Sequence, residues 1–289
     1  MTINQYDYCW LKYTLKRAAS EKSDKLICGH SLARFGITEK LIPGLINLSF
    51  ISQDYYYSAR IIEEAVSKIP SIRLVILGTS YVSPFLDLSL MENKGEIARI
   101  NDVYGKYFGD YHHLSEIREQ TPRDSHDNED DLYNEEMYEH IKDDYFGPGH
   151  TRQMVSETDW EGTAEEERIK TGEMRAGFHN RFLKYQDTYE ENGGILMKLA
   201  TSLRDRDIDF VPVVFPSNIY YRRHLDISFK VKYEEQIGKI SVGPGIKTQF
   251  DFYECDAFDK VKDFVDSDHL NDRGAEKMTN MLRDCLHFK

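Results

Sequence analysis

Asp266 and His269 stand three residues apart in the run from Phe264 to Ala275, and Ser31 follows Gly29 and His30 near the other end of the chain. A carboxylate placed just before a histidine can bond one ring nitrogen, fix the tautomer and leave the other nitrogen free to act as a general base. Such a pair needs a nucleophile. Ser31 is the expected one: the apolar stretch Lys25 to Cys28 reads as a short strand, and Gly29 beside the turn lets the backbone reverse without a Cβ clash, so that the next hydroxyl is presented at the strand's carboxyl end. The three groups together predict acyl transfer by nucleophilic catalysis. Taken singly, each motif has a blander reading, Ser31 as a helix cap and Asp266 with His269 as a solvated loop pair. Their order along the chain gives them weight, with the nucleophile after the first strand, the base before the last helix and buried strands between.

The elements that must carry these residues alternate. A helix is expected over residues 6 to 20, strands at Lys25–Cys28, Leu45–Phe50 and Ile72–Gly78, and a helix over Tyr55–Lys68 with Ala59, Ile62, Ala65 and Val66 on one face. After a long interruption come a helix over Gly194–Arg204, strands at Phe210–Phe215 and Gln249–Cys255, and a helix over Arg273–Leu286. Strands separated by helices predict an α/β fold, a three-layer doubly wound parallel sheet with right-handed crossovers. Between Asp87 and Glu190 long apolar runs are scarce and residues 123 to 131 are dense in acid. The division expected is a core of residues 1–86 and 191–289, with 87–190 as an acidic, largely helical insertion or cap, because its many aromatic residues speak against disorder.

At Gly29-His30-Ser31 and Asp266-Ser267-Asp268-His269 the chain resembles the SGNH (GDSL-type) hydrolase superfamily, and the run His30 to Gly36 with Ser52-Gln53-Asp54 resembles SGNH-like proteins of bacterial capsular or surface-polysaccharide loci. The resemblance implies a flavodoxin-like sheet, a Ser31–His269–Asp266 triad and an acyl-enzyme. In the family pattern a glycine after the second strand and an asparagine after the third help to bind the oxyanion. Here Ser52 and Ser80 stand in those loops, so the oxyanion donors expected are the backbone amides of Ser31 and Ser52, with Ser80 or Gln53 as a side-chain donor. His30 replaces the family's more familiar aspartate, and it is expected either at the substrate or as a histidine bonded at the start of a helix. Gln53, Arg222 and His224 complete the expected substrate-binding set, Arg222 and Arg223 being suited to an anionic group.

The formal charge of −13, from 37 basic and 50 acidic side chains, excludes a nucleic-acid partner on electrostatic grounds. Cys9, Cys28, Cys255 and Cys285 lie too far apart to suggest a zinc cluster or a disulfide framework, and His112, His113 and His126 read as surface groups, so no metal is expected. No basic leader and no run of about 20 apolar residues is found, which predicts a cytoplasmic protein without a transmembrane segment. The function expected is an O-acetyltransferase acting on a capsular or surface glycan, with no bound cofactor and acetyl-CoA as donor. The alternatives are a carbohydrate esterase with the same triad, or a catalytically impaired glycan-binding subunit.

Overall fold

The computed structural model describes residues 2–91, 93–114, 138–139, 160–242, 246 and 248–286. Its elements run α1 (Ile3–Glu21), β1 (Lys25–Gly29), α2 (Ser31–Gly36), β2 (Leu45–Asn47), α3 (Tyr55–Lys68), β3 (Leu74–Thr79) and α4 (Lys94–Arg99), the last continuing through a wider π turn at Ile100–Gly105. After the undescribed stretches come α5 (Glu165–Asn180), α6 (Gln186–Arg204), β4 (Asp209–Val214), α7 (Ile219–Arg222), α8 (Ser228–Val242), β5 (Phe250–Asp251) and α9 (Asp272–Cys285). The strands pair in parallel in the order β2-β1-β3-β4-β5.

Both faces of this sheet are covered, and the strands show it in their alternation. Leu26 and Cys28 of β1 and Val75 and Leu77 of β3 join one core with α1, α3, α6 and α8, whereas Ile27 and Ile76 join the other with α2 and α9. Successive side chains of a strand point to opposite faces, so a strand buried on both reads as an unbroken apolar run. The fold is therefore the expected three-layer α/β type. The chain leaves β1 for β2 on one side and reaches β3 on the other, so the order reverses beside β1, and open α/β sheets bind ligands at such a point.

Gly29 does not serve the purpose expected of it. Its φ is not positive, and it sits in register with Gly78 across the ladder. A Cβ at position 29 would lie 2.1 Å from the Gly78 carbonyl oxygen, and one at 78 would lie 2.2 Å from Ala33 Cβ. The two glycines thus allow β1, β3 and α2 to close on one another, which fixes where α2 begins.

A buried charge group holds α2 from the other side. Arg34 of α2 and Arg99 of α4 both donate to Asp7 of α1, and all three are buried. Asp7 thereby joins three helices at one point.

Several boundaries differ from expectation. The second strand ends at Asn47, not Phe50, and the last strand is only Phe250–Asp251 because the Asp251 carboxylate accepts from Tyr253 N and turns the chain. The helix expected from Gly194 begins at Gln186, so the core boundary drawn after Glu190 falls inside it. Helix α8 was not anticipated. The acidic run 123–131 and most of the expected insertion between 115 and 159 lie outside the described residues. Among the described residues, no helix is long and apolar enough to cross a membrane.

Candidate active site

Ser31 is the first residue of α2. His30 caps that helix, its Nδ1 accepting from the Leu32 amide at 3.3 Å, so the ring proton is on Nε2 and is donated to Ser83 Oγ at 3.0 Å. Burial, helped by His269 nearby, pushes the His30 pKa down to about 3, which keeps the ring neutral. His30 lines the cleft, yet both nitrogens are committed to the protein, so of its two expected roles it takes that of the histidine bonded at the helix start and not that of a substrate contact.

His269 arrives from the opposite end of the chain. Its loop is folded on the Asp266 carboxylate: Oδ1 accepts from the amides of Asp268 and His269 at 2.9 and 2.7 Å, and Oδ2 accepts from His269 Nδ1 at 2.9 Å. With the proton fixed on Nδ1, Nε2 is an acceptor, and Ser31 Oγ donates to it at 2.8 Å. Burial opposes the imidazolium, but the carboxylates of Asp266 and then Asp268 outweigh it, and the His269 pKa lies above its ordinary value. Serine, base and orienting carboxylate are thus in hydrogen-bonded sequence.

A cavity of about 650 Å³ opens on these groups. One wall is the face of α5 that presents Thr171, Met174, Arg175, Phe178 and His179, residues spaced by helical turns. That face is held close because Gly172 packs on the Tyr220 backbone, where a Cβ would meet the carbonyl oxygen at 2.2 Å, and because Tyr220 Oη donates to Glu165 at 2.9 Å. Arg175 Nε donates to Asp268 Oδ2 at 3.1 Å. Burial would raise the Asp268 pKa, but Arg175, then His269 and His179, hold it well below the carboxylate range. His179 Nδ1 shares a 2.6 Å hydrogen bond with Tyr221 Oη, and burial lowers its pKa to about 3, so it too is neutral.

The remaining expected residues divide. Ser52 lines the cavity with φ at 49°, its hydroxyl donating to Glu96 Oε1 at 2.8 Å, and among the described residues neither its amide nor that of Ser31 has a partner. Ser80 also lines the cavity, its amide donating to Ser83 Oγ at 2.9 Å and its hydroxyl lying 3.0 Å from the same oxygen. Gln53 is turned inward, Nε2 donating to Cys28 Sγ and Ser58 Oγ, each at 3.0 Å, which removes it as a donor to substrate. Arg222 and His224 lie outside the cavity wall; on that turn Tyr221 and Leu225, four residues apart, face inward instead.

Arg175, His179, Tyr221 and Asp268 were missed. A trace was legible, because Arg175 and His179 are four apart, beside Met174 and Phe178 at the same interval, but nothing in the sequence directed that face at Ser31. His112 also departs from the reading of it as a surface group: it is largely buried and bonds Glu191 Oε1 through Nε2 at 3.1 Å. His126 lies outside the described residues.

No protein-family model matches the chain, and no curated protein matches it significantly. Solved structures similar to it include a GDSL-like lipase from Bacteroides thetaiotaomicron, at 9% identity and a TM-score of 0.45 over 96% of this chain and 98% of that one. Another is a candidate acylhydrolase from Bacteroides fragilis, at 11% identity and a TM-score of 0.43 over 94% of this chain and 95% of that one. Likeness at this level says nothing of chemistry.

Proposed function

We propose that the chain is a serine-dependent acyl-ester enzyme. The observation that carries this reading is the bonded series Ser31 Oγ, His269 Nε2, His269 Nδ1 and Asp266, at 2.8 and 2.9 Å. In the reaction so inferred, Ser31 Oγ attacks the ester carbonyl while its proton passes to His269 Nε2. The imidazolium is stabilised by Asp266, and the negative oxygen is received by the amides of Ser31 and Ser52. Collapse breaks the ester C–O bond, or the thioester C–S bond of acetyl-CoA, His269 returns the proton to the departing alcohol or thiol, and Ser31 keeps the acyl group. A second hydroxyl, deprotonated by His269, then attacks the acyl-enzyme carbonyl; collapse breaks the bond from the acyl carbon to Ser31 Oγ, and His269 returns the proton to Ser31.

If that hydroxyl belongs to water the enzyme is an esterase; if to a sugar it is an O-acyltransferase. Transfer of an acetyl group from acetyl-CoA to a glycan is retained as the second reading because α5 forms one wall of the cavity on Ser31, a wall that would shape which acceptor reaches the acyl group. Arg175 suits the polar end of either substrate, since among the described residues its terminal nitrogens Nη1 and Nη2 have no partner.

The test offers the purified protein a chromogenic acetyl ester and, separately, acetyl-CoA with and without capsular oligosaccharides. A fluorophosphonate is used to label the nucleophile. Rapid ester cleavage with labelling confined to Ser31 supports the esterase, and acceptor-dependent release of CoA supports the transferase. If the probe labels nothing and neither donor reacts, while glycan binding is measurable and indifferent to Ser31→Ala, both enzyme readings give way to a binding module.

A further inference from the structure

A second cluster lies apart from Ser31, where the chain between β3 and α4 meets α6. Asp87 begins the turn Leu88–Leu90, His112 and His113 begin the turn His112–Leu114, and Glu191 projects from α6. One ligand atom from each of the four residues can be chosen so that all lie within 4.8 Å of one another. Glu191 Oε2 is 3.0 Å from His113 Nε2, Glu191 Oε1 is 3.1 Å from His112 Nε2, and Asp87 Oδ2 is 3.5 Å from His113 Nε2. Tetrahedral zinc with nitrogen and oxygen bonds of about 2.0–2.1 Å holds its ligands roughly 3.3–3.4 Å apart, the edge of the tetrahedron. These three spacings, two of which use different oxygens of Glu191, are near that size, and one atom from each residue lies within 4.8 Å of the others, so small side-chain adjustments would close the four around an ion.

Two features point to an ion and not merely to a packed polar group. Asp87 is 5% exposed; its Oδ1 accepts from both the amide and the hydroxyl of Ser89, whereas Oδ2 is buried and accepts no hydrogen bond. A buried carboxylate oxygen left without a donor is costly, and a cation beside it would remove the cost. The His112 ring is also set in place: it stacks on Tyr56 at 3.7 Å, and its Nδ1 lies 3.2 Å from Ser89 Oγ and 3.4 Å from Asp87 Oδ1. A histidine that gives its Nδ1 proton to an oxygen behind it presents Nε2 as a metal ligand, the arrangement common around zinc.

We propose that Asp87, His112, His113 and Glu191 bind one divalent transition-metal ion of the zinc type. The ion would pin the two turns to α6. Asp87 lies between Leu86 and Leu88, which both line the cavity, so the site would brace one wall of the cleft without touching Ser31. The partial exposure of His113 and Glu191, 43% and 37%, leaves a way in for the ion. This inference does not depend on the acyl-ester reading.

The test titrates zinc into the chelator-treated full-length protein by calorimetry, in a Cys255→Ser/Cys285→Ser background because those two thiols are partly exposed. Cobalt absorption serves as the second readout. The expected result is one equivalent of zinc, a four-coordinate cobalt spectrum without thiolate bands, and a melting temperature that rises with zinc. His113→Ala and Glu191→Gln should each weaken binding by at least about 10- to 100-fold, the loss already caused by removing a group that merely supports a ligand. Both positions are at the surface, so the metal-free variants should melt near the parent; should one fail to fold, the other carries the test. Absence of stoichiometric binding, or an affinity in both variants equal to that of the parent, overturns the site. So does a six-coordinate cobalt spectrum.

Discussion

Arg175 Nε lies 3.1 Å from Asp268 Oδ2, and this contact joins the helix that covers the cleft to the loop that carries His269. The charge of Asp268 therefore acts on two partners. It holds Arg175 in its charged form, and with Asp266 it favours the imidazolium of His269. Covering helix and base share one electrostatic unit.

The first prediction concerns pH. His269 must be neutral to accept the Ser31 proton, and its pKa is raised, so kcat/KM should climb with pH through a midpoint above that of an ordinary histidine and then level off. Removing the Asp268 charge by Asp268→Asn takes away one of the groups that raise it, and the midpoint should fall. Arg175 acts in the opposite direction, so Arg175→Gln should move the midpoint upward. Profiles measured with a chromogenic ester check both signs; a midpoint unmoved by both substitutions would show that another group limits the rate.

The triad itself predicts a graded series. Ser31→Ala and His269→Ala should each lower kcat by about 10⁴ to 10⁶ while circular dichroism and melting stay near those of the parent. Asp266→Asn should cost less than His269→Ala in turnover, since the base remains. It should cost more in stability than Ser31→Ala, because Asp266 also ties together the loop amides of Asp268 and His269. Turnover of the Ser31 variant within tenfold of the parent would remove the nucleophile assignment.

The sequence made the core of this arrangement legible because local signals sufficed. The apolar runs around Ile27, Ile76 and Val211 gave the strands, and the spacing of Asp266 and His269 gave the base and its partner. What escaped was decided by contacts between distant segments. Gly29 resembled a turn glycine, yet its role is set by Gly78 on the neighbouring strand. Gln53 was a polar residue in the right loop, but Cys28 and Ser58 had already engaged it. Arg175 entered the cleft only because Gly172 lets α5 lie against Tyr220, a fact of packing with no local signature.

Gly29→Ala should be severely destabilising. Its new methyl would meet a backbone carbonyl that is itself fixed in the β1–β3 ladder, so neither side can yield cheaply. Overpacking typically costs about 1–3 kcal/mol, and this position belongs at or beyond the upper end. A urea midpoint lowered by less than the equivalent of about 1 kcal/mol would mean that the strands can separate, and with them the setting of Ser31.

The last prediction tests how α2 is held. Asp7 is the carboxylate that Arg34 and Arg99 share, and its removal by Asp7→Ala would take from two buried guanidinium groups the carboxylate that joins them. Breaking a buried charge group by deleting one partner costs about 3–5 kcal/mol, more than the network contributes over an apolar replacement. Asp7→Ala should therefore unfold at much lower urea, and the triple substitution Asp7→Leu/Arg34→Met/Arg99→Met should recover a good part of the loss. Arg34 is three residues beyond Ser31 on a helix of six, so a shift of α2 should appear in turnover as well. If the triple variant regains stability but not activity, the ion group positions the nucleophile and does more than fill the core; recovery of both would leave it with a purely structural part.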